Sequence, residues 1–211
     1  MLNASASLGA CLAALADADE IVVVDGGSRD DSAAIAGRMG VRVVAAPRGR
    51  GAQLRAGAEA ACSEWLLFLH ADTRLGPGWR RAVAAHVAAA PEQAGAFDLR
   101  LDDNAWQARL IEHGVALRVR MIGLPYGDQG LLISRRLYDE VGGFRPLALM
   151  EDVDLVRRIG RHRVRRLDAT ALTSAERWRR DGWLRRSGRN LACLALYALG
   201  VAPAHIARFY R

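Results

Sequence analysis

IVVVDGGSRDDS, residues 21–32, is the stretch on which the reading of this chain turns. Ile21 to Val24 form a short run of β-branched apolar residues bounded by polar ones, the pattern of a buried strand. The run ends in Asp25-Gly26-Gly27-Ser28. In sheets flanked by helices, ligands bind beyond the carboxyl ends of the strands. A carboxylate there can accept hydrogen bonds from a base or ribose, and the glycines let a ligand approach the backbone. An ordinary strand-to-helix turn, with Ser28 or Asp30 capping the next helix, accounts for the same residues.

Outward from this stretch, short apolar runs alternate with helical patterns. Ser5–Leu15 reads as a helix, Asp31–Met39 as a helix, Val41–Ala45 as a strand, Ala52–Ala61 as a helix and Trp65–Leu69 as a strand. Pro77 opens the helix that carries Trp79–Ala89. The alternation predicts an α/β domain with a mostly parallel sheet between helices. The later part is less regular: a strand over Gly95–Leu101, a helix over Trp106–Met121, a loop at Gly123–Gly127 and a strand at Leu131–Ser134. Then follow a helix over Met150–Ile159, a strand at Val164–Leu167, and helices near Trp183–Leu199 and Pro203–Tyr210. We read residues 1–211 as one domain, with a nucleotide-binding half (1–94), an acceptor and catalytic half (95–180) and C-terminal helices (181–211).

The chain's 211 residues suit one α/β domain, and 51% apolar content allows a sizeable core. Its formal charge is +7, and all 30 basic side chains are arginine. A GC-rich genome produces that bias, and so does recognition of phosphate or an anionic surface. Arginines crowd Arg157–Arg189, but no nucleic-acid-binding module or aromatic-interleaved basic stretch accompanies them, so nucleic acid is not expected as a partner. Cys11, Cys62 and Cys193 lack zinc spacing and read as idle thiols in a reducing compartment. Without a secretory signal the expected location is the cytoplasm. Leu191–Ala202 is too short to span a bilayer, which takes about 20 residues. Arg185, Arg186 and Arg189 before it, with Arg208 and Arg211 after it, leave open a peripheral contact at the inner face of the cell membrane, against a buried core helix.

Three further places carry chemistry. Pro47-Arg48-Gly49-Arg50-Gly51 precedes a helix and suits an anion such as a diphosphate, or is a plain basic turn. His70-Ala71-Asp72-Thr73 puts a carboxylate beyond a strand end, where it can hold a hard divalent ion that also binds diphosphate oxygens. A lone His70 is more often a hydrogen-bonded structural residue. Glu151, Asp152 and Asp154 open a helix. Dipole complementation explains them, as does a general base whose pKa its neighbours raise.

Together with PRGRGAQLRAG (47–57), WLLFLHADTRLGPGW (65–79), PYGDQGLLISRRLYDEVGGF (125–144) and MEDVDLVRR (150–158), the opening stretch resembles glycosyltransferase family 2, of GT-A fold. The pieces occur in the family's order along nearly the whole chain. The resemblance implies inverting sugar transfer from a nucleoside-diphosphate sugar, usually UDP-linked, to an acceptor hydroxyl on a lipid, carotenoid or saccharide. It implies that Asp25 binds the base, usually uracil, with Gly26, Ser28, Arg48, Gly49, Gln53 and His70 at the nucleotide. Asp72 would hold Mg²⁺ or Mn²⁺, Asp152 would be the base beside Glu151, and Asp128 and Gln129 would border the sugar or acceptor. Ser174-Ala-Glu-Arg177-Trp178 is similar to the family's QxxRW element, with Ser174 in place of glutamine, which would set Arg177 and Trp178 at the sugar or acceptor; His70 stands where the DxD motif has its first aspartate. Against this stand two rivals: a sugar-phosphate nucleotidyltransferase, for which the lysine-free chain lacks the expected catalytic lysine, and a non-catalytic nucleotide-binding protein that docks on membranes.

The family also begins with an apolar strand, whereas this chain opens at Met1-Leu2-Asn3-Ala4, already at the turn that follows it. The expectation is a sheet lacking its first strand, through a late start assignment or truncation, and a poorly stable monomer whose open edge favours a homo-oligomer.

Overall fold

The computed structural model describes residues 1–210. Its first part alternates helix α1 (Ser5–Ala13), strand β1 (Val22–Asp25), α2 (Ser32–Arg38), β2 (Arg42–Ala45), α3 (Arg50–Ala60) and β3 (Trp65–Phe68). Then come β4 (Thr73–Leu75), α4 (Trp79–Ala89), β5 (Ala94–Leu101), α5 (Trp106–Ile122), β6 (Leu131–Ser134), α6 (Arg135–Glu140) and α7 (Glu151–Ile159). The chain continues with β7 (Val164–Thr173), α8 (Glu176–Asp181), α9 (Trp183–Ala198) and α10 (Pro203–Tyr210). The periodicity did not predict β4, α6 or α8, which are each too short to express a period. Nor did it predict that β7 continues past Leu167 to Thr173. That polar extension is held by pairing on both sides, to β5 and to β4.

The strands form two sheets. Five of them lie in the order β3-β6-β5-β7-β4. β5 and β7 run parallel, from Ala94 opposite Val164 to Leu101 opposite Thr173, with an irregularity between Ala96 and Asp98. β6 is antiparallel to β3 and β5, and β4 is antiparallel to β7, so the sheet is mixed. Successive side chains of a strand point to opposite faces. Leu132 accordingly packs with Phe97 and Leu167, while Ile133 packs on the other face with Leu66, Leu137 and Leu155. Both faces are covered, which explains why β6 reads as an unbroken apolar run.

The second sheet is a parallel pair, β1 and β2, with Val22 opposite Arg42 and Asp25 opposite Ala45. Leu8 and Leu12 of α1, Val23 of β1 and Ala36 of α2 form its own small core. It shares no ladder with the larger sheet. Between edge strands β1 and β3 lies a cavity of about 690 Å³, lined by Val22–Val24, Leu54, Leu66, Leu67 and Trp79 among others. At one end of this gap the Met1 amino group donates to the Val24 carbonyl, and the Gly26 amide donates to the Met1 carbonyl at 2.9 Å. Those two bonds are the rung pattern of a parallel strand, made here by a single residue.

Candidate active site

The pocket that gathers the predicted chemistry lies beyond the carboxyl ends of β3 and β7. Among the residues lining its roughly 110 Å³ are Arg50, His70, Asp72, Tyr126, Asp128, Glu151, Asp152, Arg177 and Trp178. Each arrives by a different local device. β3 ends at Phe68, and the turn after it, with the Thr73 amide donating to the His70 carbonyl at 3.1 Å, carries His70 and Asp72. The buried hydroxyls of Thr73 and Thr173 meet at 2.8 Å, and Thr173 also donates to the Asp128 carbonyl at 2.9 Å. The loop before β6 is thereby tied to the ends of β4 and β7.

The acidic start of α7 resolves into three roles. Met150, its N-cap, has φ 66°, a left-handed conformation that costs a non-glycine residue about 1–2 kcal/mol. Such strain persists where the surroundings over-determine it. Asp152 turns into the pocket, where its Oδ2 accepts the Gly127 amide at 2.7 Å and its Oδ1 the Val153 amide at 2.7 Å. Gly127 is obligatory in this contact, because a Cβ there would lie 2.5 Å from His70 Nε2 and 3.4 Å from Asp152 Oδ2. Glu151 is 1% exposed, and its Oε2 has no partner. Burial, reinforced by the charge of Asp152, pushes its carboxyl up to about 7. Asp154 faces away, held by Arg158 at 2.7 Å, Arg145 at 3.3 Å and the Tyr197 hydroxyl at 3.2 Å, so it is a structural acid.

Burial likewise raises Asp128 to about 6, opposed by Arg118, and its Oδ1 is unpartnered. His70 is pushed down to about 4, first by burial and then by the Arg50 guanidinium, so the imidazole is neutral near pH 7. Arg50, at the start of α3, belongs to the turn that the sequence marked for an anion, although Arg48 was the arginine expected at the nucleotide. The structure sets it close enough to Glu151, Asp152 and Asp72 for their charges to hold its proton despite burial. The signal was the run Arg48-Gly-Arg50, in which the second arginine, not the first, reaches the pocket. Gly51 marks the same approach, since a Cβ there would collide with the Arg145 carbonyl.

The remaining predicted residues lie elsewhere. Asp25 accepts from the Ser28 hydroxyl at 2.5 Å and the Ser28 amide at 3.1 Å, which closes the turn after β1. Gly26 is covered by Gln53, whose amide donates to the carbonyls of Met1 at 2.6 Å and Val24 at 3.3 Å. Arg48 is exposed and Gly49 caps α3. Gln129 is 3% exposed and donates to the Phe97 carbonyl at 2.9 Å, while its oxygen accepts the Tyr126 amide at 3.3 Å. It braces the loop from inside and does not face the pocket.

For a divalent ion, no cluster of three or more His, Cys, Asp or Glu side chains exists among the described residues. Asp72 nonetheless lines the pocket with no hydrogen-bond or ion-pair partner on its carboxylate among them. One free carboxylate fits a hard cation that takes its other ligands from diphosphate and water.

With acids, a neutral imidazole and arginines converging at strand ends, the fold and site have the form of a GT-A glycosyltransferase. The family model for glycosyl transferase family 2 matches residues 1–147, and the chain belongs to that family. Glu151 and Asp152 lie just past the matched span. Among similar solved structures is glucosyl-3-phosphoglycerate synthase from Mycobacterium tuberculosis, in complex with Mn²⁺, UDP-glucose and phosphoglyceric acid. It is 18% identical, with TM-score 0.59 over 82% of this chain and 67% of that one. Another is S. aureus TarS 1–349, 15% identical, with TM-score 0.66 over 100% of this chain and 67% of that one. TarS in complex with UDP-GlcNAc gives 15% and 0.64 over 82% and 56%. At these identities the likeness establishes the fold.

Proposed function

We propose that the protein transfers a sugar from a UDP-sugar to an acceptor hydroxyl, with inversion and with a divalent ion. The observation that carries this reading is the convergence of Asp72, Asp152 and Arg50 on one pocket in a chain of this family. Asp152 takes the proton from the acceptor hydroxyl as its oxygen attacks the anomeric carbon, and the Gly127 amide keeps its carboxylate aimed. Glu151, partly protonated near pH 7, limits the negative charge around that base, and His70, neutral there, adds no charge of its own. Arg50 faces the departing diphosphate. Asp72 would hold Mg²⁺ or Mn²⁺, which would supply charge neutralisation for the leaving group. A pocket of about 110 Å³ takes the reacting ends and not a whole nucleotide sugar, since sites for drug-sized ligands run to about 300–1,000 Å³. In this reading the nucleotide lies outward, toward Asp25, Ser28, Arg48 and Gly49.

The reading includes a cytoplasmic location and a peripheral membrane contact. What supports the contact is α9, whose outer face exposes Leu184 and Leu191, with Leu199 exposed just past its end, while Arg186, Asn190 and Cys193 on its other side line the pocket. No acidic residue follows Asp181 in the sequence. Arg186 and Arg189 are paired with Asp181, which leaves Arg185 and Arg208 as the exposed cations of this region; Arg211 lies outside the described residues. Among the described residues no helix is long and apolar enough to cross a membrane.

The test is UDP release from a panel of UDP-sugars, with Mn²⁺ and with chelator. Metal-dependent release with at least one donor is the expected result. Release that ignores chelator, or none with any donor while UDP itself fails to bind, contradicts the reading.

A further inference from the structure

We infer that the wall of the pocket built by α8 and α9 is an oxyanion subsite centred on Arg186, and that the acceptor carries a phosphate or carboxylate. The inference rests on the transferase reading above and names the substrate class for it.

The wall shows unmet donors. Arg186 is 4% exposed and Trp178 8%, and both line the pocket. Two nitrogens of the Arg186 guanidinium are engaged, one with Asp181 at 2.9 Å and one with the Tyr210 hydroxyl at 2.9 Å. These contacts, and the Trp178 ring 5.1 Å below it, fix the group in place. Its third nitrogen, Nε, has no acceptor, and neither does the indole N–H of Trp178. Buried donors are normally paired, and both orphan N–H groups belong to residues that line this pocket.

The charge on this wall agrees. Asp181 is shared by Arg180 at 2.9 Å, Arg186 at 2.9 Å and Arg189 at 2.7 Å, so one carboxylate faces three guanidiniums. Arg177, one turn before Asp181, also lines the pocket and has no ion-pair partner among the described residues. A water molecule could accept the two orphan N–H bonds but would leave the surplus charge uncompensated; an oxyanion meets both demands. The pocket's acids, Asp72, Asp128, Glu151 and Asp152, come from the turn after β3, the loop before β6 and the start of α7, and none from α8 or α9. An acceptor with a hydroxyl at one end and an oxyanion at the other therefore has one favourable orientation, hydroxyl toward Asp152 and anion toward Arg186.

The test is calorimetric titration of inorganic phosphate into the protein saturated with UDP and Mn²⁺. Phosphate should bind to the UDP-loaded protein, Arg186→Gln should weaken it at least tenfold, and Trp178→Phe, which keeps the ring and deletes only the N–H, should weaken it several-fold with UDP affinity unchanged. Glycerol 3-phosphate against phosphatidic acid in detergent micelles then separates a soluble phosphate from a lipid headgroup as the source. Phosphate that binds only when UDP is absent would identify the donor's diphosphate site instead and overturn the proposal. So would undiminished binding by both variants. Failure of UDP itself to bind in the loading step would count against the transferase reading and is seen before phosphate is added.

Discussion

The two sheets differ in how they are held. β5, β6 and β7 are paired on both edges, and Ile133 in β6, the strand covered on both faces, is fully buried. β1 is paired on one side only, and its other edge looks into the 690 Å³ gap. The proposed base, Asp152, is tied to the first region through Gly127, in the loop that Thr173 and Gln129 hold to β7 and β5. The residues expected to bind the base sit on the second, at the end of β1. In the proposed reading the reacting groups are thus fixed to strands paired on both edges, while the base-binding residues follow a strand paired on one edge only. Chemistry and binding should therefore separate on mutation.

The sharpest way to break that separation is to compare two aspartates. Asp152→Asn should lower turnover by about 10²–10⁴-fold, the usual loss for a general base, with UDP affinity intact. Asp25→Asn should weaken UDP binding while turnover at saturating donor stays within a few-fold. A turnover defect in the second as large as in the first would erase the distinction.

Stability should differ in the same direction. Ile133→Ala should cost about 2–5 kcal/mol, as truncation in a packed core does. Val23→Ala, beside an existing cavity, should cost about 1 kcal/mol, because fewer contacts are lost. Denaturant melts of both variants would check this, and equal losses would mean that the gap is closed in solution. A gain-of-function version adds an extended Val- and Ile-rich segment of about ten residues ahead of Met1, where one rung already exists. It should pair with β1 and β3, raise the melting temperature and reduce self-association. An unchanged melting temperature would show that the gap does not accept a strand.

The smallest effect concerns Glu151. Its carboxyl is raised from an ordinary value near 4.5 to about 7, so the folded state keeps a proton that the unfolded chain gives up. Stability must then fall as pH rises between those values and level off above them. Glu151→Gln should therefore melt a few degrees higher than the wild type at pH 8, with the difference shrinking toward pH 4.5. A constant difference across that range would mean that Glu151 is ionised throughout.

Much of this architecture could be read from the sequence, for reasons that also explain what could not. β1, β3 and β6 are short β-branched or leucine-rich runs whose period survives translation into structure, and the turn residues after them mark the ends where ligands bind. The acids of α7 stood out as a cluster, but spacing cannot say which one faces away. Asp154 is structural only because Arg158, Arg145 and Tyr197 come from elsewhere in the fold. Gln129 looked like a ligand contact because it sits beside Asp128, and its inward turn depends on the Phe97 carbonyl of a distant strand. Arg50 was hidden behind Arg48, since one helical start decides which of two neighbouring arginines points inward. The closure of the pocket by Arg186 and Tyr210 has no local signature at all.

The most direct test of the central claim is titration of UDP by calorimetry into the wild type and Asp72→Ala, each with Mn²⁺ and with excess chelator. The account predicts tight binding for the wild type in Mn²⁺ and a loss of roughly tenfold or more on chelation or on Asp72→Ala, with no further loss when the two are combined. Equal affinity in all four titrations would contradict it.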